Sequence, residues 1–163
     1  MEIHPTILLV EDDEDDVLLI RRAFQKARLL NPLQVVRDGE EALEYLAGKG
    51  RYHDRRLYPL PFLLLLDLHM PKLNGFDVLS WIRQRPELRR MKVAVLTSSS
   101  NEHDFSKAMD LGAHSYFVKP GSLEEFVHLM LRLQGHWILV DSEESLDQSR
   151  PLTNTPQVFT EDI

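Results

Sequence analysis

Apolar runs of strand length alternate along this chain with segments whose apolar residues recur at helical spacing. Residues 6–10, containing Ile7-Leu8-Leu9-Val10, read as a first strand, and residues 33–36, 62–66, 92–96 and 115–118 as four more. Between the first two strands, residues 14–28 set Val17, Ile20, Phe24 and Ala27 on one helical face, and Asn31-Pro32 breaks the pattern. A second helix over about 39–47 turns Ala42, Leu43 and Leu46 inward, with Gly48 and Gly50 past its end. A third is expected over about 75–84, stopping before Pro86, and a fourth over about 102–111, stopping at Gly112. The last helix begins near Ser122, where Leu123, Phe126, Leu129, Met130 and Leu133 keep helical spacing. Ser122 and Glu125 have the form of a capping box.

This alternation predicts an α/β protein, a doubly wound five-stranded parallel sheet of (βα)5 type with helices on both faces as a three-layer sandwich. The third strand, Phe62 through Leu66, is apolar at every position, as burial on both faces requires. Residues 49–61 form a polar, basic connection with Arg51, Arg55 and Arg56, longer than most links of this kind. From about 141 the chain turns polar, so the folded domain is expected over 1–140 and a mobile tail over 141–163.

The chain's 163 residues suffice for one domain with a full core. A formal net charge of -7 argues against general affinity for nucleic acid or an anionic membrane. There is no long uncharged apolar stretch for a spanning helix, and no basic-then-apolar leader is read at the N-terminus. The absence of cysteine excludes disulfides and thiolate metal sites and fits a cytoplasmic, reducing setting.

The polar residues that end the strand-like runs change the picture most. Asp67 follows the apolar third strand, where a carboxylate is costly unless the site uses it. Glu11-Asp12 end the first strand, Thr97 the fourth, and Lys119 the fifth. In an open parallel sheet the strands' carboxyl ends converge on one edge, where ligands bind. Acids, a hydroxyl and an ammonium gathered there suggest magnesium-assisted phosphoryl chemistry. Each residue also has a plainer reading. Asp12 stands in six consecutive acids, Glu11 through Asp16, and acids are common at a helix start. Thr97 leads a Ser98-Ser99-Ser100 run before a helix, and Tyr116 reads equally as a half-buried edge aromatic.

With Glu11-Asp12, Asp67, Thr97 and Lys119-Pro120 in this order, and Leu66-Asp67-Leu68-His69-Met70-Pro71 ahead of Asn74-Gly75, the chain resembles the receiver domains of two-component response regulators. The resemblance covers residues 5–135 and implies a flavodoxin-like, CheY-like fold. The long 49–61 loop and Trp137 past the last helix resemble the short single-domain regulators that serve phytochrome-type sensor kinases. The resemblance implies that Asp67 receives a phosphoryl group as an acyl phosphate from a sensor histidine kinase or phosphotransfer protein. It implies Mg²⁺ held by Asp12, Asp67 and the His69 carbonyl, with Glu11 acting through water. Lys119 would meet the carboxylate and then a phosphoryl oxygen, across a cis Lys119–Pro120 peptide. Thr97 would bond the phosphate, with the Ser98 and Ser99 amides facing it, and Tyr116 would move inward as a switch partner.

The His69 side chain, with no second His or Cys at ligand spacing, is expected at the mouth rather than on a metal. Gly75 is expected to relieve a tight turn. Leu18 or Leu19 could stay exposed for a kinase helix or be buried under neighbours. His136 through Val140 could dock back or form a homodimer contact. Residues past 140 are too few for an output domain, so output by binding or relay is expected. Two alternatives stand beside this reading. A phosphate-independent scaffold would not need the acids. A phosphohydrolase of the haloacid dehalogenase type would need an aspartate where His69 stands.

Overall fold

The structure, a computed structural model, describes residues 4–135. Five strands form one parallel sheet: β1 (Ile7–Val10), β2 (Leu33–Val36), β3 (Leu63–Leu66), β4 (Lys92–Thr97) and β5 (Ser115–Val118). Their spatial order is β2-β1-β3-β4-β5. Five helices alternate with them: α1 (Glu14–Lys26), α2 (Gly39–Ala47), α3 (Gly75–Arg83), α4 (Glu102–Asp110) and α5 (Leu123–Gln134). Short 3₁₀ turns, Gly50–Tyr52 and Pro86–Leu88, precede β3 and β4.

The alternating side chains of β1 and β3 divide the core between the two sheet faces. Ile7, Leu9, Leu63 and Leu65 pack with Val17, Ile20 and Phe24 of α1 and Phe126, Leu129 and Met130 of α5. Leu8, Val10, Leu64 and Leu66 pack with residues of α2, α3 and α4. Every position of β1 and β3 is buried, so the two central strands have no solvated face. This explains their unbroken apolar sequences.

The elements agree with the sequence pattern to within one or two residues, and the ends that differ have physical reasons. α1 stops at Lys26 rather than 28 because Arg28 takes a left-handed φ of 55°. The Leu29 N–H then donates to the Phe24 carbonyl and the Arg28 N–H to that of Gln25, a Schellman closure. That closure normally carries glycine, so an arginine there gave no sequence signal. The capping box at α5 is split. The Ser122 hydroxyl accepts from the Glu125 N–H, but the Glu125 carboxylate takes the Gly121 N–H instead of that of Ser122.

The 49–61 connection is packed, not merely polar. Tyr45, Tyr52 and Tyr58 stack against one another with ring centroids 4.9–6.0 Å apart. Arg55 donates to the carbonyls of Tyr45 (2.8 Å), Leu46 (2.9 Å) and Tyr58 (3.1 Å). The first two lie at the C-terminal end of α2, where the regular helical donors run out and the Tyr45 carbonyl otherwise has only the Gly48 N–H. The His136–Val140 contact and the 141–163 tail fall outside the described residues.

Candidate functional site

The parallel sheet brings the ends of β1, β3, β4 and β5 to one edge. Glu11 and Asp12 follow β1, Asp67 follows β3, Thr97 ends β4 and Lys119 follows β5. Backbone bonds carry the ladders one step past the strands: the Glu11 N–H donates to the Val36 carbonyl, that of Asp67 to Val10, and that of Lys119 to Thr97. The site residues are thus extensions of the sheet, with sheet-like rigidity. The N-terminus of α3 closes over Asp67. There the Gly75 N–H donates to the Leu68 carbonyl, and a Cβ at Gly75 would collide with the Asp67 carbonyl oxygen. Glycine is needed at 75 for this close approach rather than for a turn, which corrects the expectation from sequence.

Lys119 is the centre of the site. Its ammonium lies 2.6 Å from Glu11 Oε1, 2.8 Å from Asp16 Oδ2 and 3.2 Å from Asp67 Oδ2, so all three N–H donors have carboxylate partners. Glu11 is 1% exposed and Asp67 5%, so these charges sit largely out of water. Burial alone would lower the lysine's pKa. The bonds to Asp16 and Glu11 and the charge of Asp67 outweigh it, and the group stays cationic with its pKa above the ordinary value. Glu11 moves the other way. Burial, with the Asp67 charge adding to it, pushes its carboxyl up to about 7 against the pull of Lys119. Three carboxylates, Glu11, Asp16 and Asp67, share one ammonium, Asp12 stands beside Glu11 and Asp67, and the surplus negative charge is what a cation would relieve.

The donor set fits a hard cation. Glu11, Asp12 and Asp67 each offer a carboxylate oxygen, and these oxygens lie within 4.8 Å of one another. An all-oxygen set with no nitrogen or sulfur suits Mg²⁺ or Mn²⁺ over zinc. Asp12 is free for this role because Asp13, not Asp12, caps α1, its Oδ1 accepting the Asp15 N–H at 2.8 Å.

Other residues fall differently from expectation. Asp16, assigned from sequence to the helix-start acids, belongs to the site through Lys119. The Lys119–Pro120 peptide is trans, no cis bond occurring among the described residues. The trans form is the lower state of an X-Pro bond by about 0.5–1 kcal/mol, and Lys119 reaches its carboxylates from it. Tyr116 is fully buried, its ring already inward and edge-on to Phe105 at 5.4 Å, where a solvent-facing start was expected. Its hydroxyl donates to the Ser99 carbonyl at 2.9 Å, and burial pushes its pKa up to about 12, keeping it a donor. Thr97 is buried and its Oγ1 accepts the Ser99 N–H at 3.3 Å, so this amide is engaged within the loop. Ser99 is therefore bonded to both Thr97 and Tyr116.

The His69 side chain is exposed at the mouth, as expected, and its backbone N–H lies 3.4 Å from Asp67 Oδ1. Its Nε2 meets Asp104 Oδ2 of α4 at 2.9 Å, and the same oxygen accepts the Ser99 hydroxyl at 2.7 Å. Asp104 gave no sequence signal, because an acid in the first turn of a helix is ordinary. Leu18 is 47% exposed and Leu19 is half-buried, so the two readings of this pair divide between them.

Comparison with known proteins agrees with this geometry. The response regulator receiver domain family matches residues 7–131. A probable methanogenesis regulatory protein, FilR2 of Methanothrix harundinacea, is 37% identical over 132 residues, covering 81% of this chain and 83% of that protein. The crystal structure of the phosphorylated cyanobacterial phytochrome response regulator RcpA superposes with a TM-score of 0.76 at 36% identity, covering 83% of this chain and 94% of that one. Response regulator Rcp1 of Synechocystis sp. is 35% identical over 81% of this chain and 88% of its own. The Mn²⁺-bound Rcp1 structure gives a TM-score of 0.73 at 32% identity, with 91% and 99% coverage. With the strand order, the edge acids and Lys119 in place, this chain belongs to the response regulator receiver domain family.

Proposed function

We propose that this chain is a single-domain response regulator that accepts a phosphoryl group on Asp67 from a histidine kinase, a phytochrome-type sensor among the candidates, and signals through altered protein contacts. It acts on no separate substrate and catalyses only its own phosphorylation and dephosphorylation. The observation that carries this reading is a nearly buried Asp67 carboxylate held 3.2 Å from the Lys119 ammonium at the ligand-binding edge of the sheet. The receiver unit extends to about 140, followed by the polar segment 141–163. The likeness to RcpA and Rcp1 supports a light-sensing partner, and the exposed Leu18, beside the acidic edge, is a contact for the kinase helix.

Asp67 attacks the phosphorus of the donor's phosphohistidine. A P–O bond to the carboxylate forms, the P–N bond breaks, and the leaving imidazole takes a proton from solvent. Asp12, Asp67 and the His69 carbonyl would hold Mg²⁺, with Glu11 close by, and the ion would offset the negative charge of the carboxylates and the phosphoryl group. Lys119 exchanges its contact with Asp67 for one with a phosphoryl oxygen and keeps its bonds to Glu11 and Asp16. The Thr97 hydroxyl turns to donate to another phosphoryl oxygen and releases the Ser99 N–H. The Ser99 carbonyl that holds Tyr116 then shifts, so the modification reaches β5 and α4 through one residue. His69 borders the path of water to the acyl phosphate.

Incubating the chain with phosphorylated sensor kinase tests the reading. Transfer is expected with Mg²⁺, and neither with a chelator nor in Asp67→Asn. Equal transfer to Asp67→Asn would overturn it.

A further inference from the structure

The edge opposite the phosphoryl site carries the reverse charge. Residues 83–92 hold five cations, Arg83, Arg85, Arg89, Arg90 and Lys92, against the single acid Glu87, in a chain whose net charge is -7. The structure gathers three of them around one cleft. Ile82, Arg83, Arg85, Arg89, Leu111 and Gly112 line a cavity of about 380 Å³ between the C-terminal ends of α3 and α4, with Asp110 also on its wall.

Neutral groups hold two of these guanidiniums, those of Arg83 and Arg85, in place. Arg83 donates to the Asp110 carbonyl at 2.8 Å, and Arg85 donates to the Trp81 carbonyl at 2.9 Å. Arg85 also lies over the Trp81 indole at 3.5 Å from the ring centroid. Among the described residues, no carboxylate stands within ion-pair distance of Arg83, Arg85, Arg89, Arg90 or Lys92. The guanidiniums of Arg83 and Arg85 are thus oriented but not neutralised, that of Arg89 stands beside them, and the planar fork of arginine matches a carboxylate.

The same sequence supplies matching acids. Asp141, Glu143, Glu144 and Asp147 follow α5 with no cation among them before Arg150. In a parallel α/β sandwich the helices run back against the strands, so the C-terminal ends of α3, α4 and α5 share the edge where the strands begin. Asp141 lies seven and Asp147 thirteen residues beyond Gln134. At about 3.3–3.6 Å per extended residue they reach roughly 23–47 Å, against a domain radius of gyration of about 13–15 Å. We infer that the cleft between α3 and α4 is an intramolecular dock for the chain's own acidic segment, residues 141–147. The dock stands apart from Asp67 and does not depend on the phosphoryl reading. Docking would tie down the C-terminal end of α4, the helix whose first turn holds Asp104 against His69.

The chain has no cysteine, so Ser145→Cys takes one nitroxide label on the full-length protein. The amide signals of Arg83, Gln84, Arg85, Leu88 and Arg89 and of Asp110 through Gly112 are expected to lose more than half their intensity at about 50 mM salt. They should regain it at about 1 M, where the screening length falls to about 3 Å. Glu143→Gln with Glu144→Gln should release the broadening. So should Arg89→Glu, chosen because among the described residues no hydrogen bond or ion pair ties the Arg89 side chain into the fold. No broadening at the cleft, or broadening that survives loss of both glutamates, would overturn the dock. Broadening that grows with protein concentration would assign the cleft to a second copy and would overturn it equally.

Discussion

The acidic edge and the 49–61 loop treat charge in opposite ways. At the edge, Lys119 is shared among Glu11, Asp16 and Asp67, the carboxylates outnumber the ammonium, and burial lifts the Glu11 carboxyl to about 7. In the loop, Arg55 has three carbonyl partners, the Tyr52 hydroxyl donates to Glu41 and the Tyr45 hydroxyl to the Pro59 carbonyl, so these groups find their bonds within the fold. Both regions hold buried or half-buried polar groups, but only the loop balances them internally. The edge keeps a surplus that an incoming cation and phosphoryl group would resolve. Polar burial satisfied from within serves the fold, and polar burial left in surplus marks a site held ready for a ligand.

The largest separation between the regions is expected from Lys119→Met. It leaves Glu11 and Asp67 without their common cation, and removing one partner of a buried pair costs about 3–5 kcal/mol. Urea unfolding at pH 8 should show that loss without divalent metal and a partial recovery with Mg²⁺, while phosphoryl transfer collapses. Stability unchanged in the metal-free protein would mean that the edge acids are solvated. Arg55→Ala comes next. It takes the donor from the carbonyls of Leu46 and Tyr58 and leaves that of Tyr45 with the Gly48 N–H alone, and a loss of about 2–3 kcal/mol is expected, with the phosphoryl-transfer rate kept. A lost transfer rate would show that the loop supports the site.

Glu11→Gln separates the regions by sign. The folded carboxyl titrates near 7, above its ordinary 4.5, so its favourable contribution is complete below 4.5 and disappears as pH rises through 7. At pH 8 without metal the glutamine variant should be more stable than the parent by on the order of 2 kcal/mol, and its stability should change less between pH 4.5 and 7. A less stable variant at pH 8 would contradict the charge surplus. The smallest effect is expected from Tyr52→Phe, which removes one bond to Glu41 and should cost about 1 kcal/mol at every pH between 5 and 8, with thermal unfolding as the readout.

Much of the fold and the centre of the site were legible in the sequence. Burial on both faces leaves an unbroken apolar run, and such a run ending in Asp67 or in Lys119 is conspicuous. What stayed hidden depends on tertiary approach. Asp16 meets Lys119 across 103 residues, and as a first-turn acid it looked like its neighbours. Asp104 was concealed in the same way. The basic 49–61 segment hid its packing because Arg55 spends its charge on carbonyls and the three tyrosines follow no period. The Arg28 closure lacks the glycine by which such ends are recognised. Tyr116 was expected to begin in solvent, but Phe105 and the Ser99 carbonyl supply apolar and polar contacts for an inward ring.

The most direct test locates the phosphoryl group itself. The chain is labelled with acetyl phosphate and Mg²⁺, the acyl phosphate is reduced with borohydride, and the peptides are weighed. The label is expected on Asp67 alone and on no peptide of Asp67→Asn. A label on Glu11, Asp12 or Asp16, or undiminished labelling of the asparagine variant, would contradict the assignment of Asp67 as the acceptor.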